Sequence, residues 1–254
     1  MKRNDNMLTS KNSDGNKQQS CFSTLSLPSL GEMEQTVCML ERGTIITKYY
    51  PRRRPEQKTL MLRRETRQLI WSSVNSSYNR TSQNFEGSLD LREIKEVRVG
   101  RISKDFEKWS DESKCVDFTK CFVVYYGSEF KLRSLSVVAL SEQECENWIR
   151  GLRYLVSDTL SSPYPLEMER WLRKEFYNIE NSRETITIKE LKSFFSRINC
   201  KISTQKLLEY FNEIDAGSRG ELKFDDFSRL YQRHFTKTVV RLLLKSIRLV
   251  YFFL

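Results

Sequence analysis

Residues 141–156 read SEQECENWIRGLRYLV, and this stretch decides the fold. Its apolar residues recur at the spacing of one helix face. They are Trp148, Ile149, Leu152, Leu155 and Val156. Ser141 with Glu144 three residues later has the pattern of a capping box, so we expect the helix to begin there. The stretch therefore predicts a helix with one apolar face, placed at the end of the β-rich part of the chain.

Short strand-like segments precede this helix. They are residues 44–50, 58–64, 68–71, 89–99, 121–126 and 130–140. These segments are rich in β-branched, aromatic and leucine residues, and they give about seven short strands. Their spacing is typical of an antiparallel barrel or sandwich. A polar loop of roughly residues 72–85 interrupts them.

The period of the apolar residues changes to 3.6 after a Ser/Pro-rich linker near residues 160–163. Four helices are predicted in residues 163–236. Ile186 and Leu222 lie 36 residues apart, and so do the acidic residues Glu190 and Asp226. This repeat has the spacing of a pair of EF-hands. The fold class predicted is therefore α+β with two domains, at residues 36–160 and 163–236.

The two ends of the chain differ from these domains. Residues 1–35 are polar and rich in Ser and Asn, and they predict a disordered tail without a signal peptide. Strand patterns begin at residue 37. Residues 237–254 form a basic, hydrophobic tail. This tail is equally well explained as an amphipathic helix on a membrane or a partner and as a truncation remnant.

The composition excludes several classes of protein and of metal site. With 39% hydrophobic residues in 254, the chain is too apolar to be wholly disordered, and no run of 18 apolar residues predicts a spanning helix. The six cysteines have spacings that match neither a zinc site nor a disulfide framework, so we expect reduced thiols in the cytoplasm. The single histidine excludes a two-histidine metal site.

Positive charge is concentrated in the first predicted hairpin. Residues 48–67 hold eight Lys or Arg and two Glu, a net charge of +6 out of +10 for the chain. Such a cluster is often only a solvated face. It can also bind the phosphates of a lipid headgroup, through Lys charges and Arg forks, or nucleic acid. We expect no nucleic-acid partner, because no recognition helix, RNA-binding aromatic motif or zinc finger accompanies the cluster.

The order of these features resembles a pleckstrin homology (PH) domain, with Trp148 at the position of that family's helix tryptophan. A PH domain followed by EF-hands resembles the N-terminal part of a phosphoinositide-specific phospholipase C. The local amino-acid sequence is similar to that of the gamma class at residues 64–71, 91–96, 121–127 and 169–174. The resemblance covers roughly residues 37–235.

The resemblance implies that the module docks on phosphoinositides at the inner face of the plasma membrane. It places headgroup contacts at Lys48, Arg52, Arg53, Arg54 and Lys58. The implied partners are an anionic phosphoinositide membrane, the remaining domains of the parent enzyme and receptor tyrosine kinase signalling proteins. The parent enzyme cleaves phosphatidylinositol 4,5-bisphosphate to diacylglycerol and inositol trisphosphate.

Whether the EF-hand loops can bind calcium depends on the residues at loop positions 1, 3, 5, 6 and 12. In the first loop these are Ile179, Asn181, Arg183, Glu184 and Glu190, and in the second they are Asp215, Gly217, Arg219, Gly220 and Asp226. Ile179 and Arg183 are not calcium ligands, so we expect no calcium in the first loop. Asp215 and Asp226 are weak metal candidates in the second. We expect the pair to be structural and no cofactor to be bound tightly.

Catalysis in the resembled family needs a (β/α) barrel of about 300 residues with two histidines and a calcium ion. This chain has only His234, so we expect a truncated product that does not hydrolyse phosphoinositides alone and has no catalytic residues. The alternative function left open is a calcium-sensing or scaffold adaptor without lipid specificity.

Overall fold

The first half of the chain folds into one antiparallel sheet, in the order β4-β3-β2-β1-β7-β6-β5. The computed structural model describes residues 29–74, 85–127 and 131–235. The strands are β1 (Thr44–Tyr49), β2 (Glu56–Arg63), β3 (Gln68–Ser73), β4 (Gly87–Asp90), β5 (Ile94–Val99), β6 (Cys121–Tyr126) and β7 (Arg133–Ala139). The predicted segment 89–99 is therefore two strands, separated by a 3₁₀ turn at Leu91–Glu93. Seven strands confirm the predicted fold class.

All seven strands place side chains in one hydrophobic core, and the helix from the deciding stretch closes it. This helix spans Glu142–Leu160. Trp148 is fully buried, and its Nε1 donates a hydrogen bond to Thr44 Oγ1 at 2.8 Å. The Ser141 hydroxyl accepts from the Glu144 N–H at 3.2 Å, so only this half of the predicted capping box is formed.

An N-terminal helix, α1 (Leu30–Arg42), corrects the prediction of a disordered tail through residue 35 and of strands from residue 37. Ser29 and Glu32 form a reciprocal capping box at its start. Leu40 is buried against the closing helix at Gly151, where an added Cβ would lie 2.5 Å from Leu40 Cδ1. The rest of the predicted tail, residues 1–28, lies outside the described residues.

Two short helices that the sequence analysis did not predict stand between β5 and β6. They are α2 (Lys104–Lys108) and α3 (Ser110–Lys114), so the closing helix is α4. Side chains alternate across a strand, so Val123 faces away from the core that holds its neighbours Phe122 and Val124. Phe106 of α2 covers this outer face and packs on Tyr49, with ring centroids 4.6 Å apart.

The second half is helical, as predicted. It contains α5 (Tyr164–Ile179), α6 (Ile188–Arg197), α7 (Thr204–Ile214) and α8 (Phe224–His234), which share an aromatic core. Ile186 and Leu222 exchange two backbone hydrogen bonds of 2.9 Å each. This bridge between the loops confirms the EF-hand pairing predicted from the 36-residue repeat. The predicted tail 237–254 lies outside the described residues.

Charged side chains join the two halves. Arg67 Nη2 lies 2.5 Å from Asp158 Oδ2 on α4, and Arg170 of α5 lies 3.5 Å from the same oxygen. Lys174 of α5 lies 3.4 Å from Asp90 Oδ2 at the end of β4. The Arg170 and Lys174 pairs connect α5 to the sheet domain, and because the Arg170 and Asp90 side chains are largely buried, salt screens these pairs less than it screens surface pairs.

Replacing Leu40 by Ala tests whether α1 belongs to the sheet domain. Because Leu40 is 1% exposed, we expect a loss of about 2–5 kcal/mol in the free energy of unfolding, measured in urea. Met39→Ala on the same helix is the control, since Met39 is 41% exposed. Equal and small effects of the two substitutions would show that α1 does not pack on the core.

Candidate functional site

On β1 and β2, the side chains that alternate onto the inner face of the sheet continue beyond the hydrophobic core. At the open end of the domain these inner-face residues are lysines. Lys48 follows the core residue Ile46 on the same face of β1, and Lys58 precedes the core residue Leu60 on β2. Trp71 on β3 packs at the edge of the same core. We call the site formed by Lys48, Tyr50, Arg53, Lys58 and Trp71 the barrel mouth.

The five predicted headgroup residues divide into two groups. Lys48 and Lys58 are 9% and 6% exposed and lie inside the barrel mouth. Arg52, Arg53 and Arg54 lie in the exposed turn between β1 and β2. Arg52 and Arg54 have no ion pair with any described residue, and we call these two the rim. The hairpin thus brings all five residues to one end of the domain.

Lys58 is paired within the protein. Its Nζ lies 2.7 Å from Glu56 Oε2 and 2.7 Å from Glu86 Oε1. Burial alone would lower the pKa of Lys58, but the hydrogen bonds to these carboxylates outweigh it and the pKa is raised. The same contact lowers the pKa of Glu56. Lys58 therefore remains charged throughout the neutral range.

Lys48 has a different environment. Its Nζ lies 3.6 Å from the centroid of the Tyr50 ring and 5.1 Å from that of Trp71, within the range of a cation–π contact. Within the described residues, no carboxylate lies within 4.0 Å of its Nζ. Burial, followed by the nearby Arg53, lowers the pKa of Lys48 to about 8. This amine is the cation of the barrel mouth that has no internal anion.

Tyr50 organises the cations around it. The Arg53 guanidinium lies 3.8 Å from the ring centroid, and each of its terminal nitrogens is 3.9 Å from a carboxylate of Glu56 or Glu86. Trp109 Nε1, from the segment between α2 and α3, donates to the Tyr50 carbonyl oxygen at 2.9 Å. The Tyr50 hydroxyl is buried without a hydrogen-bond partner among the described residues.

Four of these contributors were missed by sequence reasoning: Tyr50, Trp71, Glu86 and Trp109. Tyr50 and Trp71 could have been found from the alternation of side chains on β1 and β3. Glu86 is 28 residues from Lys58, so only the strand register brings the two together. Trp109 belongs to an insertion that has no clear periodic pattern.

The EF-hand loops use their polar side chains internally. In the first loop, Asn181 Oδ1 accepts from the backbone N–H of Arg183 at 2.8 Å and of Thr185 at 3.3 Å. Glu190 accepts from the Thr187 N–H at 2.9 Å in a capping box. These hydrogen bonds order the first loop through its own side chains.

The second loop behaves in the same way. Asp215 accepts from the N–H of Arg219 at 3.1 Å and of Gly220 at 2.7 Å, where Gly220 has φ of +72°. Asp226 accepts from the Lys223 N–H at 3.4 Å and also contacts Arg229. Gly217 and Arg219 at positions 3 and 5 of this loop carry no side-chain oxygen, and neither do Ile179 and Arg183 at positions 1 and 5 of the first loop. Neither set of residues therefore supplies the oxygen ligands that calcium needs.

Family comparisons divide the chain where the structure does. Residues 33–157 match the model described as Pleckstrin homology domain, and residues 160–234 match the model described as PLCG EF-hand motif 1. The chain is a PH domain joined to a phospholipase C-type EF-hand pair. The barrel mouth is thus the open end of the PH domain. The ion pairs Arg170–Asp158 and Lys174–Asp90 link the PH domain to the EF-hand pair.

The curated relatives reported for this chain are named as 1-phosphatidylinositol 4,5-bisphosphate phosphodiesterases. The chain is 36% identical over 215 residues to human 1-phosphatidylinositol 4,5-bisphosphate phosphodiesterase gamma-2, covering 83% of this chain and 16% of the relative. It is 28% identical over 168 residues to mouse eta-2, covering 64% and 11%. The chain therefore spans about a sixth or less of the length of these relatives.

A solved structure has the same fold. The crystal structure of S. officinalis PLC21 superposes with a TM-score of 0.51 and 15% identity, covering 82% of this chain and 28% of that chain. At this identity the likeness concerns the fold alone. It agrees with a PH domain followed directly by EF-hands.

Three further features of the described part bear on its chemistry. No helix there is long and apolar enough to cross a membrane. No group of three His, Cys, Asp or Glu residues there is arranged to hold a metal ion. The cysteines described are free thiols, namely Cys38, Cys115, Cys121, Cys145 and Cys200.

The low pKa of Lys48 makes stability depend on pH. The pKa is about 8 in the folded PH domain against an ordinary 10.5, so unfolding takes up a proton between these values and stability rises with pH. We expect the free energy of unfolding of the wild type, relative to Lys48→Met, to rise by about 3 kcal/mol from pH 7.5 to 10.5. The exposed Lys95→Met is the control, and urea titrations measure the difference. A flat difference for Lys48→Met would contradict the assignment.

The EF-hand pair should be indifferent to calcium. We expect Asp215→Ala to lower the free energy of unfolding by about 1–3 kcal/mol, because it removes the acceptor of two backbone N–H groups. The loss should be equal with millimolar calcium and with a chelator. Asp225→Ala, at an exposed position of α8, is the control. Saturable micromolar calcium binding that Asp215→Ala abolishes would overturn this interpretation.

Proposed function

We propose that this chain is the membrane-docking and regulatory module of a gamma-type phosphoinositide-specific phospholipase C. The observation that carries the proposal is the convergence of Lys48, Arg53 and Lys58 in the barrel mouth, beneath the rim residues Arg52 and Arg54. An arrangement of Lys charges and Arg forks at one end of a PH domain suits the phosphates of an inositol headgroup.

The rim supplies the first attraction to an anionic surface. Arg52 and Arg54 are exposed, and Arg53 beside them is half-exposed over the Tyr50 ring. Each Lys or Arg near an anionic leaflet contributes about 1 kcal/mol. The barrel mouth then adds selectivity, because the Lys48 amine contacts aromatic faces and has no carboxylate in direct contact among the described residues.

The gamma class is favoured by the EF-hand model that matches residues 160–234 and by the 36% identity with human gamma-2. In the proposed parent enzyme, phosphatidylinositol 4,5-bisphosphate is hydrolysed to diacylglycerol and inositol trisphosphate. The parent acts in the cytoplasm and at the inner face of the plasma membrane, with its further domains and receptor tyrosine kinase signalling proteins as partners.

Docking rather than hydrolysis is the role proposed for this chain itself. Its only histidine, His234, stacks on the Tyr210 ring with centroids 3.8 Å apart and lies beside Glu213, which is a structural environment. The EF-hand pair, whose loop side chains are engaged internally, serves as a rigid support. No observation in these loops favours a calcium-sensing adaptor.

Charge reversal of the turn tests the docking function. The variant R52E/R53E/R54E is compared with the wild type on phosphatidylcholine vesicles that contain phosphatidylinositol 4,5-bisphosphate or the 3,4,5-trisphosphate. Phosphatidylserine vesicles of equal charge are the reference. We expect sedimentation to show at least a roughly 100-fold loss of binding, because three surface cations contribute about 3 kcal/mol.

The control carries the same charge change on the EF-hand pair. K192E/K201E/K206E reverses three exposed lysines there, and it should retain most of the binding. Equal losses in the two triple variants would attribute binding to net charge and not to this end of the PH domain. Unchanged binding of R52E/R53E/R54E would remove the proposed site altogether.

A further inference from the structure

Lys58 is held by two carboxylates that come from different parts of the PH domain. Glu56 belongs to the same strand, and Glu86 lies just before β4, where its own N–H donates to the Trp71 carbonyl oxygen at 2.9 Å. Both carboxylates contact the Lys58 Nζ at 2.7 Å. Glu86 is therefore positioned by the β3–β4 pairing, so the contact belongs to the fold of the hairpin.

The two lysines of the barrel mouth thus differ in what they can offer to an anion. An ammonium has three N–H donors, and Lys58 gives two of them to carboxylates. Lys48 contacts aromatic faces and has no carboxylate within 4.0 Å among the described residues. A phosphate that approaches Lys58 must compete with Glu56 and Glu86 for the same donors, while at Lys48 the nearby acids Asp105 and Glu86 act only at longer range.

The carboxylates also reduce the field of the whole site. Three cations in the barrel mouth face two carboxylates, which leaves one excess positive charge there. Glu56 and Glu86 each lie 3.9 Å from Arg53 as well, so they compete for a second cation. Like charges repel across such distances, and the repulsion grows with the number of phosphates on the headgroup.

We propose that Glu56 and Glu86 form an internal anionic clamp that occupies Lys58 in place of a phosphate and limits the affinity of the barrel mouth for phosphorylated headgroups. This inference rests on the proposed function, since it concerns the same site. It assigns the control of headgroup affinity to two acidic residues. Headgroups with several phosphates are penalised most, because they carry the most negative charge towards the two carboxylates.

The test replaces the clamp by neutral groups of the same shape. E56Q, E86Q and E56Q/E86Q are compared with the wild type on the phosphoinositide and phosphatidylserine vesicles described above. We expect E56Q/E86Q to bind phosphoinositide vesicles at least about tenfold more tightly, with an intermediate gain for each single variant. The control E142Q/E209Q makes the same charge change at two exposed positions away from the barrel mouth, and it should stay within about twofold of the wild type.

A second measurement is independent of lipid. The side-chain amine of Lys58 is titrated by NMR in the wild type and in E56Q/E86Q, with Lys58→Arg for assignment. The clamp requires the pKa of Lys58 to fall when the carboxylates are removed, because its burial then acts unopposed. An unchanged pKa would show that the clamp does not form.

The outcomes separate the two proposals. Equal gains for E56Q/E86Q and E142Q/E209Q overturn the clamp, and so does an unchanged affinity of E56Q/E86Q when R52E/R53E/R54E abolishes binding. Absence of any preference for phosphoinositide over phosphatidylserine vesicles, in the wild type and in E56Q/E86Q alike, overturns the docking function and the clamp's role in it. In that case the NMR titration still reports whether the carboxylates hold Lys58.

Discussion

The burial of Trp148 under the first strand is the contact on which the PH domain depends. Its indole fills the centre of the core while Nε1 is bonded to Thr44, so α4 is fixed at the start of β1. A sheet whose outer strands, β4 and β5, do not pair with each other leaves its core open. The helix closes that opening, and the opposite end of the barrel remains free for Lys48 and Lys58.

Placing two lysines on the inner face of a barrel creates an electrostatic problem that the hairpin solves in two ways. Charged groups that leave water need partners, since their desolvation is costly. Lys58 obtains carboxylates, and its pKa rises despite burial. Lys48 obtains aromatic faces, which stabilise a cation less than a carboxylate does, and its pKa falls to about 8. The different environments of the two lysines thus follow from the alternation of side chains along the strands and from the neighbours that the strand register places beside each lysine.

The sequence was most informative where a regular pattern of apolar residues extends over a whole element or where a segment is repeated. The strand Cys121–Tyr126 was predicted residue for residue, and the 36-residue spacing of Ile186 and Leu222 predicted the EF-hand pair whose loops these two residues join. Helix α1 was missed although Ser29 with Glu32 and the spacing of Val37 and Leu40 indicate it, because the polar segment before it dominated the composition. The family resemblance named the five cations as headgroup contacts, and the structure brings them to one end of the PH domain. Their division into paired and unpaired groups could not be predicted from the sequence, because Glu86 reaches Lys58 only through tertiary register.

The ionic junction between the PH domain and the EF-hand pair gives salt two unequal effects on this chain. The rim arginines stand in solvent, where a Debye length of about 8 Å at physiological ionic strength screens them strongly. Arg67, Arg170 and Asp90 at the junction are largely withdrawn from water, and their pairs are screened far less. Salt therefore weakens the attraction of the rim arginines to outside charges more strongly than it weakens the ion pairs that link the two domains.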